Sequence, residues 1–194
     1  MSLFERLLIR RLKQRDELAF EEVVRLYQHK VYNLIYRIVG NPEETEDLAQ
    51  EVFISVLKNI DSFREESKFS TWLYRVVVNH CKNRLKYLAR RNRTTGDGLD
   101  GLPEQAMADA GAAPLQAHID PPDRILEGHQ LEALVSEAVK MLDEERRLLI
   151  ILRDVEELSY EEICEVTGLN EGTVKSRIHR ARMAIKEYVE RHTR

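Results

Sequence analysis

Residues Ser159 to Ala184 run SYEEICEVTGLNEGTVKSRIHRARMA, and their order specifies two short helices on either side of a glycine turn. Ser159 and Glu162 stand at the spacing of a capping box, and Ile163 with Val166 gives the first helix an apolar side. Gly168 suits the left-handed residue that ends such a helix, Leu169 is expected to turn inward, and Asn170 is placed to cap the next helix. There Val174, Ile178, Ala181 and Ile185 recur at spacings of four, three and four, so one face packs on the protein. The free face keeps Glu171, Gly172, Lys175, Ser176 and His179, flanked by Arg177, Arg180 and Arg182, and from Gly172 to Lys186 there are five basic residues and no acid. A helix-turn-helix from Tyr160 to His179 with a cationic free side suits a DNA major groove. Lys175, Ser176 and, one turn on, His179 are the candidates for base edges; Arg177 and Arg180 are the candidates for phosphates. Charge alone would fit a solvated helix face equally well, and it is the caps and the glycine turn that favour DNA.

The chain has 194 residues, enough for one large domain or two small ones. With 7% aromatic and 33% charged residues, two small helical domains are expected and a β-sandwich is not. A formal net charge of −4 conflicts with DNA binding until the charges are placed. Lys68 to Arg93 holds eight basic residues and no acid, whereas Thr94 to Glu127 holds seven acids against the single base Arg124. Two basic surfaces and an acidic connector are averaged into a small negative number.

In the N-terminal half, Asp16 to Val39 is expected to be one helix, with Phe20, Val23, Tyr27, Val31, Leu34 and Ile38 at helical spacing and Gly40 at its end. Leu3 to Arg15 precedes it as a shorter helix. Asn41, Pro42 and Glu44 supply a cap, a first-turn proline and an early acid for a helix running to about Ile60. Its inner face is Leu48, Val52, Val56 and Ile60. Asp47, Gln50, Glu51, Ile54 and Lys58 form a second face, where an apolar anchor among acids and an amide suits a partner helix, although one exposed isoleucine is by itself ordinary.

After the polar turn DSFREESK, a helix from about Ser70 to Arg91 is expected, with Phe69, Trp72, Leu73, Val76 and Val77 inward. Arg75, Asn79, Lys82, Asn83, Lys86 and Arg90 fall on one continuous ridge of its other side. Amides there can read base edges and cations can hold a backbone. Phe63, Phe69 and Trp72 stand just before the ridge, where rings could stack on unpaired bases, while each ring taken singly is better explained as core.

Thr94 to Pro122 carries four of the eight glycines and four of the five prolines and has no sustained period, so it is expected to be a flexible linker. The organisation expected is therefore all-α: a helical domain over 1–93, an acidic linker over 94–123 and a second helical domain over 124–194. In the latter, Leu131, Leu134, Val135, Ala138, Val139 and Leu142 mark one helix. Asp143 caps the next, with Leu148, Leu149, Leu152 and Val155 as its core.

Nothing points to catalysis, a metal or a cofactor. The six histidines are scattered without zinc-type pairing, and there is no phosphate-cradling glycine loop. Cys81 and Cys164 lie in different helices and are expected to be small buried hydrophobes of a reducing compartment. The start MSLFERLLIRRLKQRDE is too charged for a signal peptide and no apolar run reaches membrane-spanning length, so a cytoplasmic protein is expected.

Taken together, YQHKVYNLIYRIVG, DLAQEVFISVLKNI, SFREESKFSTWLYRVVVNHCKNRL and LSYEEICEVTGLNEGTVKSRIHRAR resemble, in order, the characteristic segments of the extracytoplasmic-function (ECF) group of bacterial sigma factors. The resemblance implies two helical domains that bind core RNA polymerase, at the clamp of its largest subunit and the flap of its second largest, and promoter DNA. It implies that Asp47 to Ile60 is the polymerase-binding segment. Asn79 and Asn83 would read non-template bases of the minus-ten element, the Phe63 to Phe69 loop would hold a flipped base, and Arg75, Lys82 and Lys86 would hold the displaced strand. Lys175, Ser176 and His179 would read the minus-thirty-five element, with Arg180 near phosphate. An anti-sigma partner is implied at the level of the family.

A regulator binding duplex DNA without polymerase is the alternative left open by the helix-turn-helix. It predicts a tight, salt-tolerant complex with duplex alone.

Overall fold

The computed structural model describes the backbone of residues 3–94 and 122–193 and the side chains of residues 3–91 and 130–193. The linker expected over 94–123 lies almost wholly outside the described residues. Among those described the chain is helical and carries no strand, and no helix is long and apolar enough to cross a membrane. It divides into two compact units, the first holding α1 (Leu3–Lys13), α2 (Glu17–Val39), α3 (Pro42–Asn59) and α4 (Phe69–Thr94). The second holds α5 (Pro122–Lys140), α6 (Glu144–Ile150), the start of α7 (Tyr160–Thr167) and α8 (Glu171–His192).

The helix boundaries of the first unit follow from its caps. Asp16 accepts hydrogen bonds from the Leu18 and Ala19 N–H groups to start α2, and Gly40, at φ 76°, ends it by donating its N–H to the Tyr36 carbonyl. Asn41 accepts from Glu44 N–H at 3.0 Å to start α3, with Pro42 in the first turn. A 3-10 turn, Ile60–Ser62, follows α3.

Helices α2, α3 and α4 pack on one another and α1 covers α2. Leu48, Val52, Val56 and Ile60 are all buried, as expected for the inner face of α3. The buried stripe of α2 is rotated from the expected one: Ala19, Val23, Val31, Leu34, Ile35 and Val39 are buried, while Phe20, Tyr27 and Ile38 are half-buried at its margin. Three neighbouring helices cover a wider arc than a single apolar stripe reveals.

In the second unit α8 packs against α5 and α6. Asp143 caps α6 by accepting from Arg146 N–H at 2.9 Å. One core expectation fails here. Val155, expected in the core with Leu148, Leu149 and Leu152, is 45% exposed, because Ile151–Val155 widens into a π-helical turn that shifts the side-chain register; Leu158 is buried instead. α5 forms where Leu131, Leu134, Val135, Ala138 and Val139 marked a helix, with Ala138 buried and Leu131 and Val135 exposed, and Leu142 is buried in the turn that follows it. Cys81 is buried as expected, whereas Cys164 is only half-buried.

Candidate nucleic-acid interfaces and partner face

The helix-turn-helix forms through the side chains that its sequence singled out. Ser159 N–H donates to Glu162 Oε2 at 2.8 Å and Glu162 N–H donates to Ser159 Oγ at 3.1 Å, a reciprocal capping box. Gly168 has φ 75°, and Asn170 Oδ1 accepts from Thr173 N–H at 2.8 Å. Val174, Ile178 and Ala181 are buried and Ile185 is half-buried, which fixes the face that α8 leaves free.

On that face Lys175, Ser176, His179 and Arg180 are exposed. Lys175 Nζ lies 2.5 Å from Glu171 Oε1 and 5.4 Å from the centre of the Tyr160 ring, so it is held across the turn between the two helices. The hydrogen bond and charge of Glu171 raise the Lys175 ammonium above its ordinary value. Ser176 Oγ donates back to the Thr173 carbonyl at 3.1 Å. His179 and Arg180 have no ion pair among the described residues. Arg177 is different. It is half-buried and paired with Glu145, so a phosphate must displace that carboxylate to reach it. Arg182 is likewise paired with Asp154.

In the first unit the ridge on α4 exists as expected: Arg75, Asn79, Asn83, Lys86 and Arg90 are exposed and Lys82 is half-buried. A shallow hollow of about 270 Å³ beside it is lined by Trp72, Arg75, Asn79 and Asn83, with Ser55 and Asn59 of α3 opposite. The resemblance places Phe63 and Phe69 at the minus-ten site, whereas each ring read singly is better explained as core, and core is where both lie. Both are buried, at 2% and 1% exposure, and with the half-buried Trp72 they form a cluster whose ring centres lie 5.6 to 5.7 Å apart. Tyr27 joins Phe69 edge-on at 5.4 Å. These rings are core and cannot stack on a base; they pin the two ends of the loop 64–68, whose Arg64, Glu65, Glu66 and Lys68 are exposed.

The candidate partner face of α3 is exposed along Asp47, Gln50, Glu51, Ile54 and Lys58, with Ile54 52% exposed among them. Glu51 also pairs with α4. Arg84 of α4 donates to it at 2.8 Å and pairs with Glu44, and His80 Nδ1 lies 3.7 Å from it. Burial would lower the Arg84 pKa, but the hydrogen bond to Glu44 and the charges of Glu44, Glu51 and Asp47 outweigh that and raise it. Arg84 was not picked out by the sequence because its partners lie 40 and 33 residues away, and helix periodicity carries no signal across helices. The same holds for Lys13 and Arg15, which reach the segment before α4 from the end of α1.

The chain matches the family model described as Sigma-70 region 2 over residues 23–91, and that described as Sigma-70, region 4 over residues 132–185. It is 40% identical over 178 residues to the RNA polymerase sigma-H factor of Pseudomonas aeruginosa, covering 92% of this chain and 90% of that protein. It is 37% identical over 189 residues to the ECF RNA polymerase sigma-E factor of Escherichia coli strain K12, covering 97% and 96%. Among solved structures it is similar in fold to CnrH in complex with the cytosolic domain of CnrY, with a TM-score of 0.63, 19% identity, and 96% and 97% of the two chains covered. It is similar in fold also to the sigma factor RpoE in complex with the anti-sigma factor NepR from Bartonella quintana, with a TM-score of 0.63, 23% identity, and 88% and 96% covered. A regulator acting on duplex DNA alone is not favoured, since the first unit is matched as well as the helix-turn-helix. This chain belongs to the ECF group of RNA polymerase sigma factors.

Proposed function

We propose that this sigma factor docks on core RNA polymerase through the α3 face of Asp47, Gln50, Glu51, Ile54 and Lys58, while two cationic surfaces engage one promoter at two places. Ile54 is the apolar anchor, and the acids around it complement a basic partner helix. The α4 ridge takes the minus-ten element: Asn79 and Asn83 read non-template bases, Arg75, Lys82 and Lys86 hold the displaced strand, and the exposed loop 64–68 holds an extruded base. Phe63 and Phe69 anchor that loop from within. Capturing an extruded base offsets unstacking of a few kcal/mol without ATP. On α8, Lys175, Ser176 and His179 read the minus-thirty-five element, and Arg180 holds phosphate, joined by Arg177 once it leaves Glu145.

Residues 94–123 serve as the tether between domains at 1–93 and 124–194. The protein works in the cytoplasm and has no catalytic role of its own. An anti-sigma protein is the expected inhibitor, in line with the similarity in fold to the NepR-bound sigma factor.

The observation that carries this reading is the α4 ridge, where two exposed carboxamides stand among cations with no acid between Lys68 and Arg93. Asn79→Ala with Asn83→Ala should abolish open-complex formation while polymerase binding is retained. Ile54→Asp should release polymerase. If Ile54→Asp co-purifies with core enzyme at the wild-type level, or the double alanine variant still opens the promoter, the assignment fails.

A further inference from the structure

Lys13 ends α1 and Arg15 lies in the turn into α2, and both reach the segment that leads from α3 to α4. Lys13 Nζ donates to the Phe63 carbonyl at 2.8 Å, lies 3.7 Å from Glu65 Oε1 and sits 5.9 Å from the centre of the Phe63 ring. Arg15 Nη1 donates to the Leu57 carbonyl at 2.6 Å and Nη2 to Asp61 Oδ2 at 2.6 Å. Arg15 has φ 62°, a left-handed conformation disfavoured for a residue with a Cβ, and Glu65, the partner of Lys13, has φ 63°. Arg15 N–H donates to the Leu12 carbonyl and Asp16 N–H to the Arg11 carbonyl, closing the turn that aims the guanidinium at the end of α3.

The geometry points to Lys13 and Arg15 as positioning residues for promoter opening: they hold the segment before α4 through the Leu57 and Phe63 carbonyls and the Asp61 and Glu65 carboxylates, so that the exposed loop 64–68 is already shaped for the extruded base. This rests on the reading that the loop takes that base. A loop free to sample many conformers loses entropy each time it orders on a ligand, and a loop ordered on folding does not. The side chains of Lys13 and Arg15 are 30% and 47% exposed, so their ion pairs add little to global stability. Their effect should therefore appear in base capture and hardly at all in folding.

The test uses full-length protein with core polymerase and a promoter fragment recovered by run-off selection, carrying 2-aminopurine at each non-template position of the minus-ten element in turn. Lys13→Met with Arg15→Met should reduce the fluorescence of the unstacked base about fivefold or more, with polymerase affinity within about twofold of wild type. Lys13→Arg with Arg15→Lys should recover most of the signal. Arg11→Met, which breaks the Arg11 to Asp16 pair in the same turn without touching the loop, should leave it unchanged. An unchanged signal in the double methionine variant overturns the inference. So does an equal loss in Arg11→Met, or a parallel loss of polymerase binding or of the melting transition, each of which marks a fold-wide role. A wild-type holoenzyme that unstacks no base at any position removes the promoter-opening reading itself, a separate failure.

Discussion

The rings of Phe63 and Phe69 meet edge to face, with 5.7 Å between centres and 80° between planes, and both are sealed from solvent. They close the base of an exposed loop without being part of its surface. Phe63→Ala should destabilise the first unit by about 3–5 kcal/mol in urea denaturation, the usual cost of emptying an aromatic core site. Arg64→Ala, one residue on and exposed, should stay within about 0.5 kcal/mol. Equal and small costs would mean that Phe63 is not core.

Arg84 joins α4 to α3 through Glu44 and Glu51. Replacing it with methionine keeps the stem and removes the fork, which should cost about 1 kcal/mol, since Glu51 is half exposed. Glu51 is then released toward solvent. Core-polymerase affinity measured beside stability should change less than it does in Ile54→Asp.

Asn170 begins α8, whose free face carries Lys175, Ser176 and His179. Asn170→Ala should cost about 1 kcal/mol of stability in the second unit, and Asn170→Asp or Asn170→Ser should keep most of it, because each retains an oxygen for the Thr173 N–H. Thermal melting checks the ranking. A variant series in which alanine matches aspartate would show that the cap contributes nothing.

Lys175 is held by Glu171 in the free protein, so under the proposed function DNA must compete with that carboxylate. Glu171→Gln should raise the affinity of holoenzyme for a promoter carrying both elements, most visibly at low salt. Arg180→Ala should lower affinity across upstream sequences alike and reduce the slope of log affinity against log salt by about one. A filter-binding salt titration separates the two effects.

Burial pushes the Cys81 thiol up to about 12 from an ordinary value of 9.0, and burial with the charge and hydrogen bond of Glu5 raises Tyr27 to about 12 from 10.0. Above pH 9 the unfolded chain gives up the thiol proton and the folded chain does not, so stability falls as pH rises. The contribution is intact below pH 9 and is lost toward pH 12. Cys81→Ala should flatten the decline in stability between those limits, and an unchanged slope would contradict the burial.

Much of this was written in local sequence. The capping box at Ser159 and Glu162, the turn at Gly168 and the caps at Asn41, Asp143 and Asn170 all depend on residues within four positions of each other, and residue type at a fixed offset finds them; Asp16, expected as the first residue of its helix, is instead the cap of α2. The ridge on α4 and the second face of α3 are legible from helical periodicity. What eluded the sequence depends on distant partners or on a change of helix period. The π-helical turn at Ile151–Val155 exposes Val155 against a pattern that assumed an unbroken α-helix. Phe63, Phe69 and Trp72 could each be read as core, but the edge-on contact of Tyr27 with Phe69 could not, because Tyr27 lies more than thirty residues before Phe63. Lys13, Arg15 and Arg84 act across gaps that no spacing rule spans.

One chain places core polymerase at defined start sites. Run-off transcription with purified core enzyme on a fragment library measures this directly. Discrete transcripts are expected that require this protein, share two spaced upstream elements, and disappear with Asn79→Ala plus Asn83→Ala. Transcripts unchanged by adding the protein, or none from any defined site, would contradict it.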